Sequence, residues 1–230
     1  MPRSSISFVL PMYNEARTIG NVLRKLASMA KGLADDYEIV IADDGSDDGS
    51  GRIIDGIAQA DPHVRVVHMA KNTKFGGALK AGIGRARNDI IIYTDSDLPV
   101  DLSDINKALP LLDGADIVTA YSAVKKGENF RRVIMSQVYN FLIQLFFRPN
   151  IKDINSGFKI YRKKVFEGVR LISNSPFIDV EIFVRAMRKN CIIRQCPVVF
   201  KRREDGKSYI SRPAVVLKTI ADMVRFKISG

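Results

Sequence analysis

The stretch DIIIYTDSDLPVD, residues 89–101, decides the fold. Ile90 to Tyr93 are four strand-forming residues without a polar interruption, the pattern of a strand buried inside a sheet. The run passes into Asp95-Ser96-Asp97 and is stopped by Pro99. Two carboxylates at the tip of a buried strand repel each other and lose hydration. Such an arrangement makes sense where a cationic or donor-rich ligand fills the space beside them.

On either side the same pattern repeats. Apolar, β-branched runs recur at ISFVLP (6–11), YEIVIA (37–42), VRVVHM (64–69) and ADIVTA (115–120), beside DIIIYT (89–94). Between them lie ARTIGNVLRKLASMA (16–30), SGRIIDGIAQA (50–60), FGGALKAGIGRA (75–86) and LSDINKALPLL (102–112), with apolar residues three or four apart and a polar face, the mark of amphipathic helices. Strand, helix, strand in succession predicts right-handed crossovers and a mostly parallel sheet covered by helices on both faces. Ligands of such sheets bind outside the carboxyl ends of the strands. The polar residues collect there: PMYNEA after the first strand, DDGSDDGS (43–50) after the second, and Asp95-Ser96-Asp97 after the fourth.

Several familiar sites are excluded. A dinucleotide fingerprint requires glycines in the first strand-to-helix turn, and PMYNEA has none; Gly76, Gly77, Gly82 and Gly84 fall inside the third helix instead. No GxxxxGK[ST] phosphate loop is present. DDGSDDGS leaves a strand and pairs its acids, whereas a calcium loop alternates them between two helices. Asp47 or Asp48 can cap the helix starting near Gly49, which leaves Asp43 and Asp44 to be explained. Around Asp95 and Asp97, a divalent metal carrying a diphosphate answers the carboxylates best, because hard Mn²⁺ or Mg²⁺ takes oxygen ligands and keeps substrate phosphates in its shell.

The 230 residues fit one domain, with no repeats or low-complexity segments. The net charge of +11 is unevenly spread: residues 1–120 carry −4 and residues 121–230 carry +15. An acidic half suits a metal-bound ligand, and a basic half suits phosphates. No nucleic-acid-binding signature accompanies the charge, so nucleic acid is not the expected partner. Cys191 and Cys196 lack a CxxC spacing and read as reduced structural residues. No apolar run is long enough to span a bilayer, and no signal-peptide pattern opens the chain, so a cytoplasmic location is expected.

PMYNE, DDGSDDGS and DSDL resemble, in order and spacing, the nucleotide-sugar half of inverting glycosyltransferases of family 2, which have the GT-A fold, a Rossmann-like nucleotide-diphospho-sugar transferase architecture. The resemblance implies that Pro11, Tyr13 and Glu15 lie beside the nucleobase and ribose, Asp44 on the base, Asp95 toward ribose or metal, and Asp97 on the metal. KNTKFGGALKAGIGRA (71–86) is similar to the family's Asn-x-Gly segment. DINSGFKIYR (153–162) and FIDVEIFVRAMRKN (177–190) look like the corresponding segments of the dolichyl-phosphate mannose synthase group. That group implies a transfer from a GDP- or UDP-sugar to a polyprenyl phosphate, peripheral on the inner membrane face. It divides the single domain into a donor half (1–120) and an acceptor half (121–230).

The sequence departs from the group at two places. Pro99 stands where a glutamine commonly completes the metal shell, so that water, Asp101 or the phosphates would compensate. Ala120-Tyr121-Ser122 replaces a Ser-Arg that helps hold the lipid phosphate, which shifts that work to Arg131 and Arg132, with Ser136 nearby. Ser156, Arg202 and Lys207 complete the expected acceptor and phosphate contacts. A phosphate acceptor is already anionic and needs no general base, whereas a saccharide hydroxyl would need one, with Asp153, Asp179 and Glu181 as candidates. Either acid of the last two can instead pair structurally with Arg185. Two segments could lie on a membrane surface or meet a membrane-anchored partner: RRVIMSQVYNFLIQLFFR (131–148), and PAVVLKTIADMVRFKI (213–228), whose apolar face is expected at Val216, Ile220, Met223 and Val224. Transfer to a saccharide hydroxyl and a non-catalytic binding module are the alternatives.

Overall fold

The computed structural model describes residues 5–123, 143, 144, 147, 150–201 and 213–229. Seven strands form one sheet in the order β3-β2-β1-β4-β6-β5-β7. They are β1 (Ile6–Met12), β2 (Tyr37–Asp43), β3 (Val64–His68), β4 (Ile90–Thr94), β5 (Ile117–Ser122), β6 (Phe158–Arg162) and β7 (Ile193–Val198). The helices are α1 (Ile19–Leu33), α2 (Ser50–Ala60), α3 (Phe75–Arg85), α4 (Leu102–Ala108), α5 (Phe177–Arg188) and α6 (Pro213–Ser229). The predicted fourth helix is shorter, because Pro110 ends α4 in a 3₁₀ turn over Leu109–Leu112.

All pairings are parallel except those of β6, which runs antiparallel between β4 and β5. This exception matters for the site. Thr94, at the carboxyl end of β4, pairs with Phe158 at the amino end of β6, so the Ser156-Gly157 turn arrives beside the Asp95–Asp97 tip.

The side-chain alternation of the strands splits the core into two layers. Phe8, Leu10, Ile39, Ile41, Ile92 and Ile160 face α1, α2 and α4, while Val9, Val40, Ile91, Tyr93 and Tyr161 face α3 and α5. The glycines of α3 are part of this packing: a Cβ on Gly82 would meet Val9 Cγ1 at 2.5 Å, so the helix approaches the sheet more closely than alanine allows. Cys191 and Cys196 are free thiols, and Cys196 is buried in β7.

Candidate active site

Three strand ends and the turn before β6 meet at one edge. The first two are laced together. The amide of Asn14 donates to Ser46 Oγ (2.9 Å), Asn14 Nδ2 donates to Asp47 Oδ1 (2.8 Å), and the Asp47 amide returns a bond to Asn14 Oδ1 (3.0 Å). Glu15 N donates to Ser50 Oγ (2.8 Å), and Ala16 N to Asp48 Oδ2 (2.9 Å). The N-cap of α2 is Gly49, with no side-chain cap, so neither Asp47 nor Asp48 takes the expected capping position; Asp48 instead accepts the Ser50 amide at 2.9 Å and ties the start of α2 to the β1 turn. Asn14 holds φ +56, a value asparagine tolerates better than most residues.

Adjacent residues of a strand face opposite ways, and this separates the two acids that open DDGSDDGS. Asp43 accepts from the Ser46 amide (3.1 Å) and sits 2.9 Å from Nδ1 of His68, whose Nε2 meets Asp55 Oδ1 at 2.9 Å. Those two carboxylates raise the His68 pKa, and Asp43 is thereby a structural anchor between β2, β3 and α2. Asp44 turns toward α3. Its Oδ1 accepts both the amide (2.6 Å) and the hydroxyl (2.7 Å) of Thr73. Burial outweighs these bonds and raises the Asp44 pKa.

Pro11 is buried in β1, while Tyr13 is exposed at the turn. Glu15 is half-buried, accepting the Thr18 hydroxyl at 2.9 Å on Oε2 and facing the Ser96 hydroxyl at 3.4 Å on Oε1. It thus links the β1 and β4 ends. Beyond β4 the chain leaves the sheet in a tight turn: the Leu98 amide donates to the Asp95 carbonyl (3.0 Å), with Leu98 at φ +47. This turn bends the Asp95–Asp97 segment out of the line of β4. Asp95 and Asp97 are both half-buried. Asp101 is occupied otherwise. It caps α4, accepting from the Ser103 and Asp104 amides, while Asp104 returns a bond to its own amide.

Asp95 is held from three sides. Its amide donates to the Gly157 carbonyl (3.1 Å), the Tyr93 hydroxyl donates to its Oδ1, and its Oδ2 lies 2.5 Å from where a Cβ of Gly157 would stand. Gly157→Ala would push the carboxylate aside or spread the β4–β6 junction. We expect a destabilisation of about 1–3 kcal/mol and weaker metal-dependent nucleotide binding, measured by thermal melts and titration calorimetry. Unchanged binding in a folded variant would show that Asp95 needs no such nest.

Beneath this turn lies a charge pair that sequence reading did not anticipate. Lys159 is fully buried, and its ammonium meets Asp179 Oδ1 at 3.0 Å and the Ser156 carbonyl at 2.6 Å, lying 5.1 Å from the Tyr93 ring centroid. Burial raises the Asp179 pKa to about 6, with Asp95 and Asp153 adding repulsion and Lys159 opposing the rise. Glu181 is equally buried and fully engaged: it accepts from the Ile172 and Ser173 amides at 2.9 and 2.8 Å and from Arg185 Nε at 2.9 Å. The predicted Arg185 pair therefore belongs to Glu181, and Asp179 pairs with Lys159. Neither acid is presented to a substrate. Ser156, expected among the acceptor contacts, is 2% exposed, and its hydroxyl bonds within its own turn to Phe158.

Arg131, Arg132, Ser136, Arg202 and Lys207 lie outside the described residues, as does most of 131–148. Of that segment, Ile143 is buried and Phe147 packs against Phe177 and Phe226 at centroid distances of 5.7 and 5.8 Å, so these two serve the core. α6 turns Ile220 and Val224 of the expected apolar face outward. Val215, Thr219, Asp222 and Phe226 point inward, Met223 is half-buried, and Ile220, Val224 and Ile228 point out among Lys218, Arg225 and Lys227. Asp222 can face inward because it accepts the amides of Asn174 (3.1 Å) and Ser175 (3.0 Å). Among the described residues no helix is long and apolar enough to cross a membrane.

The sequence profile described as Glycosyl transferase family 2 matches residues 7–170. The chain is 32% identical over 211 residues to glycosyltransferase AglD of Haloferax volcanii, covering 88% of this chain and 34% of that protein. It thus spans about a third of the length of that relative. It is 26% identical over 222 residues to polyprenol monophosphomannose synthase of Mycolicibacterium smegmatis, covering 91% and 82%. Among solved structures, glucosyl-3-phosphoglycerate synthase from Mycobacterium tuberculosis, in complex with Mn²⁺, uridine diphosphate and phosphoglyceric acid, superposes with a TM-score of 0.73 at 20% identity, over 96% of this chain and 78% of that one. That likeness establishes the GT-A fold.

Proposed function

Because the chain belongs to glycosyltransferase family 2, we propose that it transfers a sugar, with inversion, from a nucleotide diphosphate to a polyprenyl phosphate at a membrane surface. The observation that carries the reading is the convergence at one sheet edge of Asp44, Glu15 and the Asp95–Asp97 turn, from three separate strand ends. The relative named for polyprenol phosphate supports the acceptor class.

A divalent metal fits the donor set. Among the described residues no cluster of three His, Cys, Asp or Glu is placed to hold an ion by itself. Asp97, with Asp95, offers two hard carboxylates, and Mn²⁺ or Mg²⁺ is commonly held by one or two carboxylates with substrate phosphates supplying more. When bound, the ion would offset negative charge on the departing diphosphate. Asp44 would orient the base and Glu15 the ribose side, with Tyr13 at the mouth. An acceptor phosphate oxygen then attacks the anomeric carbon from the opposite face. The bond from that carbon to the diphosphate oxygen breaks, and the electron pair leaves with the nucleotide.

The acceptor's charge makes a general base unnecessary, and two of the three acids that could act as one, Asp179 and Glu181, are buried in structural bonds, which leaves only the half-buried Asp153. This favours a phosphate over a saccharide hydroxyl. Arg131, Arg132, Ser136, Arg202 and Lys207, in the +15 half of the chain, are the proposed partners of that phosphate.

The test is radiolabelled transfer from a panel of UDP- and GDP-sugars to undecaprenyl phosphate in detergent, with Mn²⁺ or Mg²⁺ and with chelator. An organic-extractable, acid-labile product that chelator abolishes is expected. Donor hydrolysis without lipid product would move the acceptor to a saccharide, and no turnover or donor binding would leave only a binding module.

The outward stripe Ile220, Val224 and Ile228, spaced four apart and flanked by Lys218, Arg225 and Lys227, is the proposed seat on an anionic membrane. Val224→Glu is expected to weaken binding to phosphatidylglycerol vesicles, measured by co-sedimentation, by about ten- to a hundredfold, since one buried apolar side chain is worth about 1.5–3 kcal/mol. Equal sedimentation of variant and parent would remove α6 from the membrane contact.

A further inference from the structure

His68 closes β3 with both ring nitrogens on carboxylates. Nδ1 lies 2.9 Å from Asp43 Oδ2 on β2, and Nε2 lies 2.9 Å from Asp55 Oδ1 on α2. A neutral imidazole has one N–H and one bare lone pair, so one of these contacts would set that lone pair against a carboxylate oxygen. An imidazolium donates twice and satisfies both. Asp43 and Asp55 are the charged groups that act on the ring; Arg65, the other charged residue of β3, is engaged by Glu38 and the Arg85 carbonyl at 2.7 and 3.0 Å.

From this ring, bonds reach the proposed donor side of the site by two routes. On the first, the buried Asp43 carboxylate also accepts the Ser46 amide, and Ser46 Oγ accepts the Asn14 amide. On the second, Asp55 fixes α2, whose start brings Asp48 and Ser50 to the amides of Ala16 and Glu15. The helix is seated on this junction: a Cβ on Gly51 would meet Asp43 Oδ2 at 3.4 Å and His68 Cε1 at 3.5 Å. The turns after β1 and β2 thus hang from one side chain, and Glu15 carries the connection on to Ser96 at the β4 tip.

We infer that His68 is a positioning residue for donor binding: as an imidazolium it holds the turns after β1 and β2 together, and on losing its proton it releases one of its two carboxylates. The inference rests on the nucleotide-sugar reading above and adds a dependence on pH to it. The two carboxylates favour the protonated ring and raise its pKa above the ordinary histidine value. A raised histidine pKa means that the brace is complete below the ordinary value of about 6.5 and is lost as pH rises through the folded one. Donor affinity should therefore be highest at mildly acid pH and decline into the alkaline range.

The chain has two histidines, His63 and His68, so ring nitrogen–proton correlation spectra resolve His68 once His68→Gln has assigned it. The same proteins go into titration calorimetry with UDP and GDP in Mg²⁺, from about pH 6 to pH 9, a span that brackets the histidine range. Both His68 nitrogens should carry protons at neutral pH. Wild-type affinity relative to His68→Gln should fall about tenfold across the His68 transition, the scale of one charge-assisted hydrogen bond. Taking the ratio removes the titration of Asp44 and of the nucleotide, which both proteins share. Asp55→Asn, at an exposed helix position outside the donor turns, should move the spectroscopic midpoint and the affinity midpoint to lower pH together, a coincidence that a merely structural role does not produce.

A bare His68 nitrogen at neutral pH would overturn the inference. So would an affinity ratio that stays constant while His68 titrates, which would make the histidine a structural brace alone. A folded wild type that binds neither nucleotide, with Mg²⁺ or Mn²⁺, would overturn the donor reading itself and the role of His68 in donor binding with it, whatever its spectrum shows.

Discussion

Asp97→Ala should lower metal-dependent sugar transfer by about a thousandfold, because it removes a proposed ligand to the ion that offsets charge on the departing diphosphate. The unfolding midpoint should move less than in Asp95→Ala, because Asp97 lies outside the nest that Tyr93 and Gly157 form around Asp95. Initial rates at saturating Mn²⁺, paired with thermal melts, check both halves. Asp95→Ala makes the contrast: Asp95 is nested between the Tyr93 hydroxyl and Gly157, so its removal should reduce both rate and melting temperature. A variant lacking Asp97 that keeps its rate would take the metal away from this turn.

Lys159→Met is expected to destabilise the protein by about 3–5 kcal/mol, the usual consequence of leaving one member of a buried ion pair without its partner. The deficit should depend on pH, and its sign follows from Asp179. Burial already lifts that carboxyl to about 6, above its ordinary value, and loss of the lysine lifts it further. A raised carboxyl pKa means the folded state holds its proton more tightly than the unfolded chain. Stability is therefore fully present at acid pH and declines as pH rises through the folded value. Lys159→Met should consequently be closest to wild type near pH 4 and fall away toward pH 8, as urea unfolding across that range would show. Lys159→Met combined with Asp179→Leu should recover much of the loss at pH 8. A flat pH response in the single variant would mean that Asp179 has found another cation.

Both predictions turn on the β4 tip, yet the two layers of it were not equally legible. Asp95 and Asp97 announce themselves because a run such as IIIYT followed by two acids is a local contradiction, visible within one stretch of chain. The strands, most helices and the strand-end acids are local in the same sense. Lys159 is not. In FKIYR it reads as the polar half of an ordinary alternation, and only the insertion of β6 between β4 and β5 buries that face against α5 and Asp179. Asp43 and Asp44 look identical in sequence, and the partners that separate them, His68 and Thr73, come from elements further along. The inward turn of Asp222 in α6 is hidden for a related reason, because only the amides of Asn174 and Ser175, from outside the helix, make it favourable.

The late position of β6 also bears on synthesis. During translation β1, β2, β3 and β4 can pair as soon as they emerge, but one margin of β4 then presents IIIYT with bare amides and carbonyls until Phe158–Arg162 has been made. The nascent chain thus carries its stickiest hydrogen-bonding template at the strand that later bears the site. Slow or stalled elongation between β4 and β6 would favour pairing with another chain over the completed sheet.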